Sequence, residues 1–233
     1  MKGYGQFCPI AKAAEILTER WTPLVLRELI CGSTRFNELR RGVPLMSASL
    51  LSQRLKFLEQ EGVIERRAAR GGRGFEYHLT EAGRALGPLI MAMGEWGARW
   101  VPSRLRPEDQ DVALLMWDMH RRVRPESFPR RRTVVAFEFT DAPANKRHWW
   151  LVSEVGEADL CLTDPGYEVD LFIVTDVRSM TAVWTGDLSL AAAMASGALE
   201  AHGPTDLCRR LNTWLGLSSF APIRSRSREL AHA

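Results

Sequence analysis

Residues 36–79 read FNELRRGVPLMSASLLSQRLKFLEQEGVIERRAARGGRGFEYHL, and this stretch decides the fold of the first half of the chain. It begins with a short helical pattern, turns at residues 42–44, and continues as a longer helical pattern that ends at Gly62. Two β-like runs follow, at residues 63–67 and 75–79, on either side of a loop of glycine and arginine. Helix, turn, helix and basic hairpin, in this order, predict a winged helix-turn-helix.

The longer helical pattern separates an apolar face from a polar face. Leu51, Leu55 and Leu58 recur at the spacing of one helix face and predict the buried side. The opposite side carries neutral hydrogen-bonding groups and a cation, with no carboxylate before Glu59. Such a side suits the major groove, where amides and hydroxyls pair with base edges; an ordinary solvated face is the alternative. The residues predicted to meet DNA from this helix are Ser47, Ser49, Ser52, Gln53 and Lys56.

Arginines supply the expected contacts with the DNA backbone. Arg35 lies near a helix start, where phosphates often bind, and Arg54 lies on the long helix, where an internal ion pair is its alternative role. Arginines of the hairpin can lie against phosphates or enter a minor groove, although a merely solubilising hairpin is the alternative. The hairpin arginines are Arg66, Arg67, Arg70 and Arg73.

Several short blocks between residues 8 and 100 carry a resemblance to a known family. They are Cys8-Pro9, Arg20-Trp21-Thr22, Leu26-Arg27-Glu28-Leu29, Arg35-Phe36-Asn37-Glu38-Leu39, Leu51-Ser52-Gln53-Arg54-Leu55, Leu58-Glu59, Gly62-Val63-Ile64, Glu76-Tyr77, Leu79-Thr80-Glu81 and Gly83. In these blocks the chain resembles the HxlR family of bacterial transcriptional regulators. The resemblance implies a dimeric winged-helix DNA binder. The chain departs from the family pattern at the wing tip, where it has Gly71-Gly72-Arg73-Gly74 and many family members carry a proline.

A long helical pattern over residues 81–101 carries an apolar seam with heptad-like spacing. A small winged helix does not need this seam for its own core, so the seam predicts a homodimer interface. Packing against the second half of the chain is the alternative, and the two are compatible. Two prolines then mark a boundary, which predicts domains at residues 1–103 and 104–220 and a flexible tail at 221–233. The predicted interface residues are Leu86, Leu89, Met93, Trp96 and Trp100.

The charge is unevenly distributed between the two halves. The first 106 residues hold 17 Lys and Arg against 10 Asp and Glu, a balance of +7, whereas the rest of the chain is at −4. The basic half therefore coincides with the predicted DNA-binding module. No apolar run approaches the ~20 residues of a membrane helix, and the N-terminus lacks the apolar core of a signal peptide. These features predict a soluble cytoplasmic protein.

The second half alternates strand-like and helical patterns in a way that predicts an α+β domain. Asp164-Pro165-Gly166 predicts a hairpin between strands at residues 158–162 and 167–174. The closing stretch, residues 184–188 and 196–200, resembles the sterol-carrier-protein-like lipid-binding fold. That resemblance implies a sheet layered with helices around an apolar pocket, for which a plain core is the alternative. A separate hypothesis is that this half is an effector domain for an apolar small ligand, and a purely structural domain is the alternative. The predicted pocket residues are Phe137, Trp149, Leu171, Ile173, Met180 and Trp184.

The sequence offers little catalytic chemistry. The histidines and cysteines lack metal-ligand spacing, and no nucleotide-binding, hydrolase or metalloprotease motif is present. We therefore expect no enzyme activity, no metal and no cofactor. Cys8, just before a helix start, is a possible redox or electrophile sensor because the positive helix end favours thiolate; an inert thiol is the alternative. Taken together, the sequence predicts a homodimeric regulator, a repressor, that binds a double-stranded DNA operator.

Overall fold

The computed structural model describes residues 3–69, 74–101, 106 and 110–224. The chain divides into two compact units, residues 1–94 and 95–233, and each has its own hydrophobic core. The division falls inside a helix, at residues 94 and 95, rather than at the two prolines.

The first unit has the order predicted from the sequence. Ser47 caps the second helix of the helix-turn-helix, because its Oγ accepts a hydrogen bond from the backbone N–H of Leu50 at 3.3 Å. Gly62 ends that helix with a φ of +70°, a conformation that glycine adopts without steric cost. The elements are α1 (Pro9–Leu17), α2 (Thr22–Ile30), α3 (Phe36–Gly42), α4 (Ala48–Gln60), β1 (Ile64–Ala68), β2 (Phe75–Leu79), α5 (Glu81–Ala85) and α6 (Gly87–Trp100).

The three leucines of α4 lie at the centre of this unit. Leu51, Leu55 and Leu58 are at most 1% exposed and pack with Leu26 and Leu39. Burying a leucine side chain contributes about 1.5–3 kcal/mol. The apolar face of α4 is therefore fixed inwards, and its polar face is left to the solvent.

The wing is an antiparallel hairpin that is attached to the helices. β1 pairs with β2 from Ile64 opposite Leu79 to Ala68 opposite Phe75. The backbone N–H of Tyr77 also donates to the carbonyl of Thr34 at 2.8 Å. This hydrogen bond joins the hairpin to the segment just before α3, since Thr34 lies two residues ahead of the first residue of that helix.

The sequence predicted a single helix over residues 81–101, and this prediction is wrong in one respect. The structure has two helices, α5 and α6, with a break at Leu86. The physical reason is Pro88. Proline has no N–H to donate to the carbonyl four residues earlier, so a helix cannot run through this position with all its hydrogen bonds. Proline is tolerated in the first turn of a helix, and it occupies the second position of α6.

The second unit contains a mixed five-stranded sheet with the order β5-β4-β3-β6-β7. Strand β3 lies at its centre, antiparallel to β4 and parallel to β6. The elements are α7 (Val112–His120), β3 (Thr133–Phe139), β4 (His148–Glu154), β5 (Glu157–Cys161), β6 (Leu171–Thr175), α8 (Val177–Thr185), α9 (Leu190–Ala195), β7 (Leu199–His202), α10 (Thr205–Arg209) and α11 (Leu211–Trp214). The helical and strand content confirms the α+β prediction for this half.

The hairpin predicted around Asp164-Pro165-Gly166 is wrong. β5 pairs with β4, whereas β6 pairs with β3 on the far side of β4. The turn is present, since the backbone N–H of Gly166 donates to Asp164 Oδ1 at 2.8 Å. A turn reverses the chain locally, but the continuous apolar run of β6 is buried better in the interior of the sheet than beside the edge strand β5.

The side chains predicted to line an apolar pocket belong to the packed core of this unit. Five of them are at most 3% exposed, and the sixth, Trp184, is half-buried against the same cluster. A ligand would have to displace core side chains there. The five are Phe137, Trp149, Leu171, Ile173 and Met180.

The folded chain also extends past residue 220. Residues 221–224 are helical, and Ala221 is buried against Gly186. Arg224 pairs with Asp187 at 3.4 Å. Residues 221–224, at the start of the predicted tail, are therefore part of the folded chain.

Candidate nucleic-acid interface

The polar face of α4 is exposed along its length. Ser49, Ser52, Gln53 and Lys56 are all exposed, and none of them forms an ion pair within the described part of the chain. Ser47 is exposed as well, but its hydroxyl already serves as the helix cap and lies 3.2 Å from Ser49 Oγ. The structure therefore presents a ridge of hydroxyls, one amide and one ammonium group.

Arg54 is the exception among the residues predicted to meet DNA. The residue is 9% exposed, and its Nη2 donates to Glu19 Oε2 at 3.1 Å. Its guanidinium also lies 5.7 Å from the ring centroid of Phe57. The internal ion pair, the alternative role that the sequence left open, is the one that the structure shows. Arg54 joins α4 to the end of α1 and is removed from the set of proposed DNA contacts.

Arg35 is held at the start of α3. Glu38 Oε2 accepts hydrogen bonds from the backbone N–H groups of Thr34, at 2.9 Å, and Arg35, at 3.0 Å. This arrangement satisfies two donors at the helix start and fixes the backbone there. The Arg35 side chain remains more than half exposed and lies 3.7 Å from Glu76 Oε1. A cation at the positive end of a helix is well placed for a phosphate.

The two described wing arginines point to opposite faces of the hairpin, as neighbours on a strand do. Arg66 lies 4.5 Å from the ring centroid of Phe75 and 3.8 Å from Glu59, at the end of α4. Arg67 pairs instead with Glu65. Of these two arginines, Arg66 therefore lies on the face of the hairpin that meets the end of α4. Arg70 and Arg73 lie outside the described residues.

Leu45, in the turn between α3 and α4, is a candidate contact that the sequence patterns did not indicate. Its neighbours Val43 and Met46 are buried, but Leu45 is 76% exposed. An exposed apolar side chain beside a polar ridge could contact the methyl group of thymine. The exposure of Leu45 was hard to predict from the sequence, because an apolar residue between apolar neighbours is expected to pack inwards with them.

The apolar seam of α6 is largely exposed in a single chain. Leu86 is half-buried, while the other four predicted interface residues are between 47% and 66% exposed. Exposed apolar side chains in a row along one helix are characteristic of a protein interface. The four are Leu89, Met93, Trp96 and Trp100.

Cys8 occupies the N-cap position of α1, as predicted. The residue is half-buried, and its thiol makes no capping hydrogen bond to the helix. Pro9 follows as the first residue of α1.

Among the described residues, no helix combines the length and apolarity that crossing a bilayer requires. In the same residues, no cluster of three or more histidine, cysteine or acidic side chains could coordinate a metal ion.

Comparison with known proteins relates the first unit to a family. Residues 16–105 match the family described as HxlR-like helix-turn-helix. The uncharacterized HTH-type transcriptional regulator YvaP of Bacillus subtilis strain 168 is 39% identical over 98 residues, which make up 41% of this chain and 91% of YvaP. The uncharacterized HTH-type transcriptional regulator sll1512 of Synechocystis is 37% identical over 112 residues, 48% of this chain and 80% of that protein. The solved structure of the reduced transcriptional regulator YodB from B. subtilis is 31% identical, covers 43% of this chain and 100% of its own, and has a TM-score of 0.37.

The similarity to YvaP covers nearly the whole of that relative. The family match, over residues 16–105, includes the polar ridge of α4 and the wing strands. It stops near residue 105, so it does not reach the sheet of the second unit. This chain belongs to the HxlR-like helix-turn-helix family of DNA-binding transcriptional regulators.

Proposed function

We propose that this regulator binds a two-fold-symmetric operator as a homodimer, with α4 of each protomer in the major groove. The observation that carries the proposal is the exposed ridge of α4. It offers three hydroxyls, an amide and an ammonium group to the solvent, while its carboxylate, Glu59, lies at the far end. Since duplex DNA is a polyanion, a helix face without acidic groups can approach it without electrostatic cost.

Each side chain on the ridge has a distinct role in the proposal. Gln53 can make a bidentate pair with adenine, and Ser49 and Ser52 can bond to several base edges. Lys56 contacts guanine or a phosphate. Leu45 meets a thymine methyl group. In this scheme α4 reads the sequence of the operator.

The arginines position the helix instead of reading bases. Arg35 lies at the start of α3, and Arg66 lies on the wing face next to α4, so both can contact the phosphates that flank one groove. Arg67, Arg70 and Arg73 remain proposed wing contacts on the basis of their charge alone.

The proposed dimer rests on the exposed seam of α6. Regulators of this family are typically dimeric, and a two-fold axis places the two recognition helices about 34 Å apart, one turn of the duplex. Covering Trp96 and Trp100 with a second copy would remove a large apolar area from water. The proposed direction of control is repression, because an occupied operator excludes other proteins from the same stretch of DNA.

An apolar ligand within the second unit is not included in the proposed function. The side chains that suggested it are packed in the core. The similarity to a sterol-carrier-protein-like fold stays a prediction.

The test of the DNA-reading role is Gln53→Ala. Loss of one bidentate contact should cost about 1–3 kcal/mol of discrimination at one base position in each half-site. Operator preference would be measured by binding selection from randomised duplexes, with Asn212→Ala, an exposed amide on α11, as the control. An unchanged preference in Gln53→Ala would show that α4 does not read the bases.

A further inference from the structure

A cavity of about 440 Å³ opens in the first unit, where the end of α2, both wing strands and α5 meet. Ligand pockets in proteins have volumes of about 300–1,000 Å³, so the space is large enough for a small organic molecule. Leu29, Ile30 and Leu79 supply apolar wall, and Tyr77 supplies an aromatic ring. The cavity does not coincide with the polar ridge of α4.

The cavity wall carries basic side chains and no carboxylate. Arg67, Arg84 and His78 line it, and no aspartate or glutamate is among its lining residues. Two of these groups have carboxylate partners outside the wall: Arg67 pairs with Glu65, and His78 Nε2 lies 3.3 Å from Glu76 Oε2.

Arg84 differs from the other two. Its Nη1 donates to the carbonyl of Leu79 at 2.7 Å, which fixes the guanidinium at the wall. Across the described part of the chain, Arg84 forms no ion pair. A guanidinium has five N–H donors in a planar fork that matches a carboxylate, and one of these donors is used here. Arg84 is therefore an exposed, oriented cation that has no carboxylate partner among the described residues.

We propose that this cavity binds a small organic anion with a flat apolar body, of the class of aromatic carboxylates. The carboxylate pairs with Arg84, and the ring packs against Ile30, Leu79 and Tyr77. The predicted preference follows from the wall: the apolar residues favour a ring, and the uncompensated charge selects an acid over its neutral amide.

The cavity also connects the ligand to the wing. Arg67 on β1 and Tyr77 on β2 are both lining residues, so a bound ligand links the hairpin to α2 and α5. Occupancy should therefore change the wing's position or mobility, and with it operator affinity. This regulatory part rests on the proposed function, whereas the binding part does not.

The test uses the full chain and 2-naphthoate as probe, with 2-naphthamide as its neutral counterpart, in a calorimetric titration without DNA. We expect saturable binding of one naphthoate per chain and at least tenfold weaker binding of naphthamide. Arg84→Gln should weaken naphthoate binding at least tenfold, and Arg84→Lys should weaken it less, because the charge remains. Arg210→Gln is the matched control, since Arg210 is an exposed arginine of the second unit that does not line the cavity, and this variant should bind naphthoate within twofold of the wild-type chain.

Absence of saturable naphthoate binding to the wild-type chain, equal binding of the amide, or an equal loss in Arg210→Gln would each overturn the proposal. The comparison of acid and amide on the wild-type chain needs no variant, so a folding defect in Arg84→Gln cannot obscure it. A second titration measures operator affinity at saturating naphthoate. A chain that binds naphthoate but no DNA would refute the proposed function alone, and a chain that binds DNA but no naphthoate would refute the cavity proposal alone.

Discussion

Position 42, at the end of α3, has no space for a side chain. A Cβ there would lie 1.9 Å from Cδ of Glu28, a residue with no exposed surface. Glu28 is held by Arg27, whose Nη2 donates to its Oε1 at 2.7 Å, and by Ser33, whose Oγ donates to its Oε2 at 3.3 Å. A buried carboxylate with these bonds cannot move aside without losing them.

We therefore expect Gly42→Ala to lower the free energy of unfolding by about 1–3 kcal/mol, the usual cost of overpacking. Urea denaturation of the variant measures this. A double-mutant cycle supplies the control: in a Glu28→Ala background the same substitution should cost less than half as much, because the clashing group is gone. Equal costs in the two backgrounds would show that the contact with Glu28 is not responsible.

Cys8 is the residue on which a redox response would depend. It stands at the N-cap of α1 and is half-buried. If its thiol is the sensor, peroxide or diamide should weaken operator binding of the wild-type chain and leave Cys8→Ser unaffected. Gel-shift titrations with and without oxidant measure this, with Cys208→Ser as the control. Identical responses of Cys8→Ser and the wild-type chain would remove the sensing role.

At the scale of elements, the wing and α4 have separate tasks in the proposed complex. Arg66 contributes charge from β1 and reads no base, so Arg66→Gln should weaken binding to all duplexes by a similar factor. It should also reduce the slope of log affinity against log salt by about one. Fluorescence anisotropy over a series of salt concentrations measures both, with Arg210→Gln, an exposed residue between α10 and α11, as the control. A loss confined to one operator sequence would contradict a phosphate contact.

The helices and strands differ in how well they could be predicted. α4 was predicted almost to the residue because its leucines, its serine cap and its terminal glycine agree. The break between α5 and α6 depends on Pro88 and could have been predicted from the sequence. The place of β6 could not, because a parallel pairing with β3 depends on strands that lie about 35 residues apart.

At the scale of the whole molecule, the exposed seam of α6 is expected to set the oligomeric state. Met93→Glu combined with Trp96→Glu places charges in the proposed interface, and burying unpaired charges there costs several kcal/mol. We expect the chain to become monomeric and to lose most of its operator affinity. Light scattering coupled to size-exclusion chromatography measures the mass. Phe172→Glu, at a half-exposed phenylalanine on the second unit's sheet, should leave the mass unchanged. A double variant that remains dimeric would place the interface elsewhere.

The candidate interface was predicted in part. The ridge residues Ser49, Gln53 and Lys56 are exposed as the helical period requires, since that period alone assigns each side chain to a face. Arg54 shows the limit of such reasoning. Its position on the helix was known, but its partner Glu19 lies 35 residues away and becomes a neighbour only when α1 packs near α4.

The sequence by itself determined the winged helix-turn-helix, the two faces of α4 and the basic character of the first unit, because each follows from local periodicity, capping or charge. Only the tertiary structure decided which arginines remain exposed, where β6 joins its sheet, and that a cavity with basic walls exists beside the wing. The reason is the same in each case. Arg84, Arg67 and Ile30 come from three elements far apart in the chain, and their proximity is a product of long-range packing that no local pattern encodes.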